Sequence, residues 1–140
     1  MRFLFSILMI AVCTACSAGG PSVELGGKRF SVEIADTREK QTLGMMFRDH
    51  MPPDEGMLFI FPDEAPRSFW MKNTRIPLDI LYFDKDLKMV SASLDAQPCR
   101  VSRCPSYLSV VPAMYVLELN GGTASELGVG PGDRMSVELE

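Results

Sequence analysis

Apolar and polar positions alternate in some stretches of the chain and run together in others, and the difference sorts the sequence into elements. In KRFSVEIA (28–35), Phe30, Val32 and Ile34 recur at period two, which predicts a strand with one buried face. GMLFIFP (56–62) is apolar without a break between Gly56 and Pro62, as expected of a strand buried on both faces. Between them, ADTREKQTLG supplies a short helix: Asp36 as N-cap, Glu39 three residues on as its capping-box partner, and Gly44 as the stop.

Further on, a strand beginning near Ser68 and a second over LDILYF (78–83) are joined by the connection from Asn73 to Pro77. DKD (84–86) then turns the chain into LKMVSASL, so three consecutive antiparallel strands are expected. AMYVLELNGG is a strand running into a turn. TASELG follows as a second short helix, with Thr123 and Glu126 in capping-box register and Gly128 as the stop. VGPGD turns the chain and RMSVELE closes it as a strand. Roughly seven strands and two short helices predict a mainly β (α+β) domain over 23–140, an antiparallel curled sheet or partly closed barrel.

Composition agrees with one domain: 140 residues, 46% hydrophobic and 23% charged, suffice for a single sizeable core. The start, MRFLFSILMIAVCTAC, combines Arg2, an apolar run from Phe3 to Val12, and small residues before Cys16. A run of about ten residues falls short of the about 20 that span a bilayer, so 1–16 reads as an export signal. CTAC resembles the lipoprotein box whose cysteine is diacylated, although Cys13 stands where Leu is usual, and cleavage nearby without lipidation is the alternative. With Cys16 lipidated, 17–22 form a short Gly/Ser/Pro linker. Ser17 carries no acidic retention signal, so the expected place is the periplasmic face of the outer membrane, or the soluble periplasm without the lipid. Without Arg2 the body carries a net charge of −5, one below the −4 of the whole chain, and no basic stripe, which argues against a nucleic-acid partner.

In an oxidising compartment, Cys99 and Cys104 in PCRVSRCPSY are expected to form a disulfide around a small loop. A redox-active pair is the alternative, but such pairs usually enclose two residues ahead of a helix, and a zinc site lacks further thiols and histidines. Met45, Met46, Met51 and Met57 lie near the single histidine, His50, and soft donors of this kind suit copper(I). Without a dense Met/His repeat, methionine as core filler is the simpler reading. No metal and no cofactor is assigned.

Three blocks, GMMFRDHMPPDEGMLFIF, FWMKNTRIPLDILYFD and YVLELNGGTASELGVGPGD, resemble the signatures of the family called domain of unknown function 192. Arg48, Gly56, Trp70, Lys72, Asn73, Pro77, Asp79, Glu118, Gly122 and Gly132 agree with it in order and spacing. The resemblance runs from about Phe30 to the C-terminus. It implies a protein often exported or lipid-anchored, with a cysteine pair like that of exported members, and no assigned activity.

Within FWMKNTRIPLDI, a hairpin folded about 73–78 would set Lys72 opposite Asp79, with Trp70 on the same surface. The pair is either a partly buried ion pair fixing register, or part of a groove where Trp70 stacks on a ligand and Lys72, Asn73 and Asp79 make polar contacts. Asn73 also suits a turn through local side-chain bonds, and Arg48 could meet either a ligand carboxylate or a neighbouring acid. Asp79 and Glu118 could form a glycosidase-type acid/base pair if about 5 to 9.5 Å apart. G-x-S-x-G, H-E-x-x-H and a phosphate-binding glycine loop are missing. The reading favoured by these residues is a non-catalytic, envelope-anchored binding module for a small ligand or envelope protein. The alternatives are a hydrolase-like enzyme acting on an envelope polymer and a structural accessory of an envelope complex.

Overall fold

The structure, a computed structural model, describes residues 19–140. The export signal, Cys16 and the first two linker residues lie outside the described residues. Nine strands and two short helices follow in the order β1 (Ser22–Leu25), β2 (Lys28–Ala35), α1 (Arg38–Leu43), β3 (Glu55–Ala65), β4 (Ser68–Trp70), β5 (Leu78–Phe83), β6 (Met89–Ala96), β7 (Ser106–Leu108), β8 (Ala113–Asn120), α2 (Thr123–Leu127) and β9 (Ser136–Glu138). The first strand already begins at Ser22, the last position of the expected linker, and turns into β2 through Gly26 and Gly27, both at positive φ. Such a two-residue turn matches the twist of the strands it joins.

Seven strands form one sheet in the order β6-β5-β8-β3-β2-β1-β9, and β4 pairs with β7 in a small separate sheet. The large sheet is mixed: β2 and β3 run parallel, because the long connection carrying α1 returns the chain in the same direction. It is a curled sheet and not a closed barrel. Its two ends meet at an antiparallel bridge between Lys88 and Arg134, flanked by Met89 N–H donating to Asp133 O at 2.7 Å and Met135 N–H donating to Leu87 O at 3.0 Å. β3 does not stop at Pro62; it runs to Ala65 with a register irregularity against β8, the kind of place where a strand tolerates proline.

Two cores lie on the two faces. One gathers Phe30, Leu58, Leu81, Phe83, Leu117 and Met135; the other gathers Met57, Phe59, Met71, Ile80, Tyr82 and Val116. The small sheet covers the second face. Phe69 of β4 packs edge-on against Phe59 and Tyr82, with centroids 4.9 and 6.0 Å apart, and Tyr82 donates its hydroxyl to Tyr107 O at 2.8 Å. Aromatic pairs of this geometry each contribute about 0.5–1.5 kcal/mol beyond their buried area.

Local signals shifted by a residue in both helices. Thr37, not Asp36, caps α1 by accepting from Lys40 N–H, while Asp36 pairs with the Lys40 ammonium at 3.2 Å. Gly44 ends the helix as expected, its N–H donating to Lys40 O. Gly122 precedes α2 in a left-handed conformation, so Thr123 is already helical and makes no capping box. The cap comes from elsewhere, as described below.

Candidate functional site

Strand pairing decides where the candidate residues go. β4 does not form a hairpin with β5; Phe69 opposes Tyr107 and Trp70 opposes Ser106, while β5 lies between β6 and β8. Lys72 therefore does not face Asp79. Lys72 instead forms a parallel bridge with Cys99 and lays its ammonium 5.4 Å over the Trp70 ring.

Asp79 is fully buried, and its carboxylate accepts three backbone N–H bonds: from Asp95 at 2.8 Å, Gly122 at 3.1 Å and Ala124 at 2.8 Å. Two of these amides are the free donors at the start of α2, so Asp79 caps that helix from a neighbouring strand. Its register partner is Leu119, whereas Glu118 partners Ile80 and Met57. Because side chains alternate across a strand, Asp79 and Glu118 point to opposite faces, and they cannot act as an acid/base pair.

Glu118 shares its row with Met57, Ile80 and, across β3, Glu33. Gly56 lies beside it because a Cβ there would stand 2.7 Å from Glu118 O, and only a hydrogen fits. The Glu118 side chain is buried, and Oε2 has no hydrogen-bond partner among the described residues. Burial pushes its carboxyl up to about 8, with the nearby Arg48 charge pulling the other way. Arg48 itself is engaged by both oxygens of Glu33, one at 2.8 Å, which holds the Glu33 carboxyl below its ordinary range.

Above Glu118 opens a cleft of about 290 Å³ between α1 and β4. Phe59 and Phe61 of β3 and Phe69 and Trp70 of β4 supply aromatic surface, and Arg38 and Thr42 supply polar groups from α1. Gln41 fixes α1 there by donating to Ala35 O at 3.2 Å and Ile60 O at 3.0 Å. The cleft thus joins an unpartnered acid at its floor to an aromatic wall, half of whose Trp70 surface is exposed. Concave, mostly apolar sites with a few convergent polar groups are the usual form of small-molecule sites.

The sequence candidates are divided among several places. Trp70 lines the cleft, Lys72 covers the Trp70 ring, and Arg48 is held by Glu33 beside Glu118. Asn73 lies with Arg75 and Arg100 in a second depression of about 460 Å³. Its φ of 55 and the Thr74 N–H bond to Met71 O at 3.2 Å show the turn-forming use of asparagine. Met45, Met51 and Met57 are buried in the aromatic-face core, and His50 is exposed. Glu118, which the sequence offered only as an acid/base partner for Asp79, lines the cleft instead, and Phe59 and Phe61 join it from β3 beside Phe69 and Trp70 of the motif. The signal available was a carboxylate between Leu117 and Leu119 in an otherwise apolar strand. Cys99 and Cys104 form the expected disulfide, with Cα atoms 5.8 Å apart, and Cys99 N–H donates to Met71 O at 3.1 Å, tying the loop to the end of β4.

Among solved structures, the chain resembles a protein from Sinorhizobium meliloti 1021 named as a candidate transcription regulator, at 37% identity and TM-score 0.76, covering 84% of this chain and 91% of that one. It also resembles a protein of unknown function from Novosphingobium aromaticivorans DSM 12444, at 31% identity and TM-score 0.75, covering 94% of this chain and 93% of that one. No curated protein matches it. The profile of DUF192, described as an uncharacterized ACR, matches residues 22–137, so the chain belongs to the DUF192 family.

Proposed function

We propose that this protein is a non-catalytic binding module of the cell envelope, anchored through a lipid on Cys16 and taking a small ligand in the cleft between α1 and β4. The observation that carries the reading is Glu118 Oε2, a buried polar atom without a partner at the floor of an open aromatic cleft. Leaving such a group unpaired costs about 1–3 kcal/mol, a cost that a bound ligand would remove. The disulfide is compatible with an oxidising compartment. A polymer hydrolase is less well supported, since glycoside hydrolysis commonly uses two carboxyls about 5–9.5 Å apart and Glu118 is the one acid lining the cleft. The role named for the Sinorhizobium protein would call for a basic face toward nucleic acid, and the body here is acidic.

A thermal-shift screen of small molecules against the purified exported chain tests the binding. A ligand at a hundred times its Kd stabilises by about 2.7 kcal/mol. The expected result is a shift for wild type that is lost in Glu118→Ala and Trp70→Ala; no hit, or equal shifts in all three proteins, overturns the reading. The anchor is tested separately. Cys16→Ser is expected to move the folded protein from the membrane to the soluble fraction, and retention in the membrane removes the lipoprotein assignment.

A further inference from the structure

The charges around the cleft narrow the class of ligand, provided the binding reading above holds. From α1, Arg38 lines the wall. The Arg67 guanidinium stacks 4.0 Å over Phe61 and the Lys72 ammonium lies 5.4 Å over Trp70, so two of the aromatic rings already carry cations. On the floor, Glu118 is faced from the segment after α1 by Arg48, which Glu33 of β2 holds, and from β5 by the Tyr82 hydroxyl, which is donated to Tyr107 O. Glu55 at the start of β3 also acts on the Arg48 charge. Of the charged residues lining the cleft or stacked on its rings, Glu118 alone is acidic.

Asp63 pairs with Arg67 at 2.9 Å, which leaves Arg38 and Lys72 as the cations of the rim, so a cationic ligand would meet these two first and Arg48 behind the floor. A ring bearing an oxygen acceptor meets neither obstacle, since the rings offer a flat apolar surface and the buried acid offers a proton. We propose that the cleft binds a small ring-shaped molecule, uncharged or anionic, that lies against the aromatic wall and accepts a hydrogen bond from the Glu118 carboxyl, and that it discriminates against amines. The raised titration of Glu118, caused by burial, keeps that proton in place at neutral pH. A sugar and an aromatic carbonyl compound both present this chemistry.

Calorimetric titration of the exported chain with N-acetylglucosamine, benzamide and benzylamine separates the cases, since the last two share a ring and differ in charge. The expected result is binding of N-acetylglucosamine or benzamide at pH 6 that weakens by up to about tenfold per pH unit once Glu118 ionises. Whichever of the two binds identifies the source of the ring. Glu118→Gln keeps a donor at the same place but cannot ionise, so the affinity it retains should no longer vary with pH. Benzylamine bound in preference, more tightly as pH rises and not at all in Glu118→Gln, would overturn the ligand class while leaving a binding module. Absence of binding by all three probes would also overturn the class, and a blank thermal-shift screen beside it would remove the binding reading itself.

Discussion

Asp79 and Glu118 are buried carboxyl groups on neighbouring strands of one sheet, 0% and 4% exposed, and they face opposite sides of it. Asp79 exchanges water for three backbone amides and joins β5 to the start of α2. Glu118 exchanges water for hydrocarbon and aromatic rings, with one oxygen left without a partner. Desolvation is equally severe at both sites, so burial alone does not separate a structural acid from a functional one. The number of donors aimed at it does: a saturated carboxylate has no capacity left for a ligand, and an unsatisfied one does.

Mutation should separate the two faces by sign as well as size. The largest effect is expected for Asp79→Ala, which strands the amides of Asp95, Gly122 and Ala124 and should lower stability by about 3–5 kcal/mol in chemical denaturation. A loss below about 1 kcal/mol would break the contrast. Glu118→Leu should act in the opposite direction, raising stability by about 1–2 kcal/mol at pH 7 because a buried unpaired polar group is replaced by an apolar one. The pH dependence carries the same sign. The Glu118 carboxyl titrates near 8 when folded and near the ordinary 4.5 when unfolded, so the native state holds the extra proton between those values. The resulting stabilisation is fully present below about pH 4.5 and is lost as pH rises through about 8, with a slope of up to about 1.4 kcal/mol per pH unit that Glu118→Leu should abolish. The smallest effect belongs to Arg48→Met. Its partner Glu33 is more than half exposed, so stability should fall by less than about 1 kcal/mol. Carboxyl NMR should nevertheless show both Glu118 and Glu33 titrating higher, since Arg48 lowers each of them.

Local periodicity located most of the strands, and turn chemistry located their ends. Asp84 in DKD accepts from Asp86 and Lys88 N–H at 2.9 and 3.0 Å, the local bonding that makes such a tripeptide a turn. Asp133 closes the glycine-rich turn before β9 in the same way, accepting from Gly130 N–H at 2.8 Å. What local patterns cannot supply is partnership across the chain. β4 has only three residues, and its mate β7 follows β5 and β6, so the sequence-adjacent strand was the natural but wrong choice. With that hairpin went the expected meeting of Lys72 and Asp79. Trp70, singled out because a large aromatic ring next to charges is unusual, does line the cleft. Glu118 needed the knowledge that β8 is flanked by both β3 and β5, which leaves its side chain no route to bulk solvent except the cleft.

The placement of β9 has a consequence for how the molecule is made. β1 lies between β2 and β9, so the first of the described strands pairs on one side with the last of them. Val137 opposes Val23, and Arg29 on β2 reaches over to Glu138 at 2.7 Å. Contacts this distant along the chain close late and slow folding. The outer side of β1 therefore stays unpaired until β9 has been made, and through that interval the β1–β2 hairpin presents an open edge on which a second chain could pair.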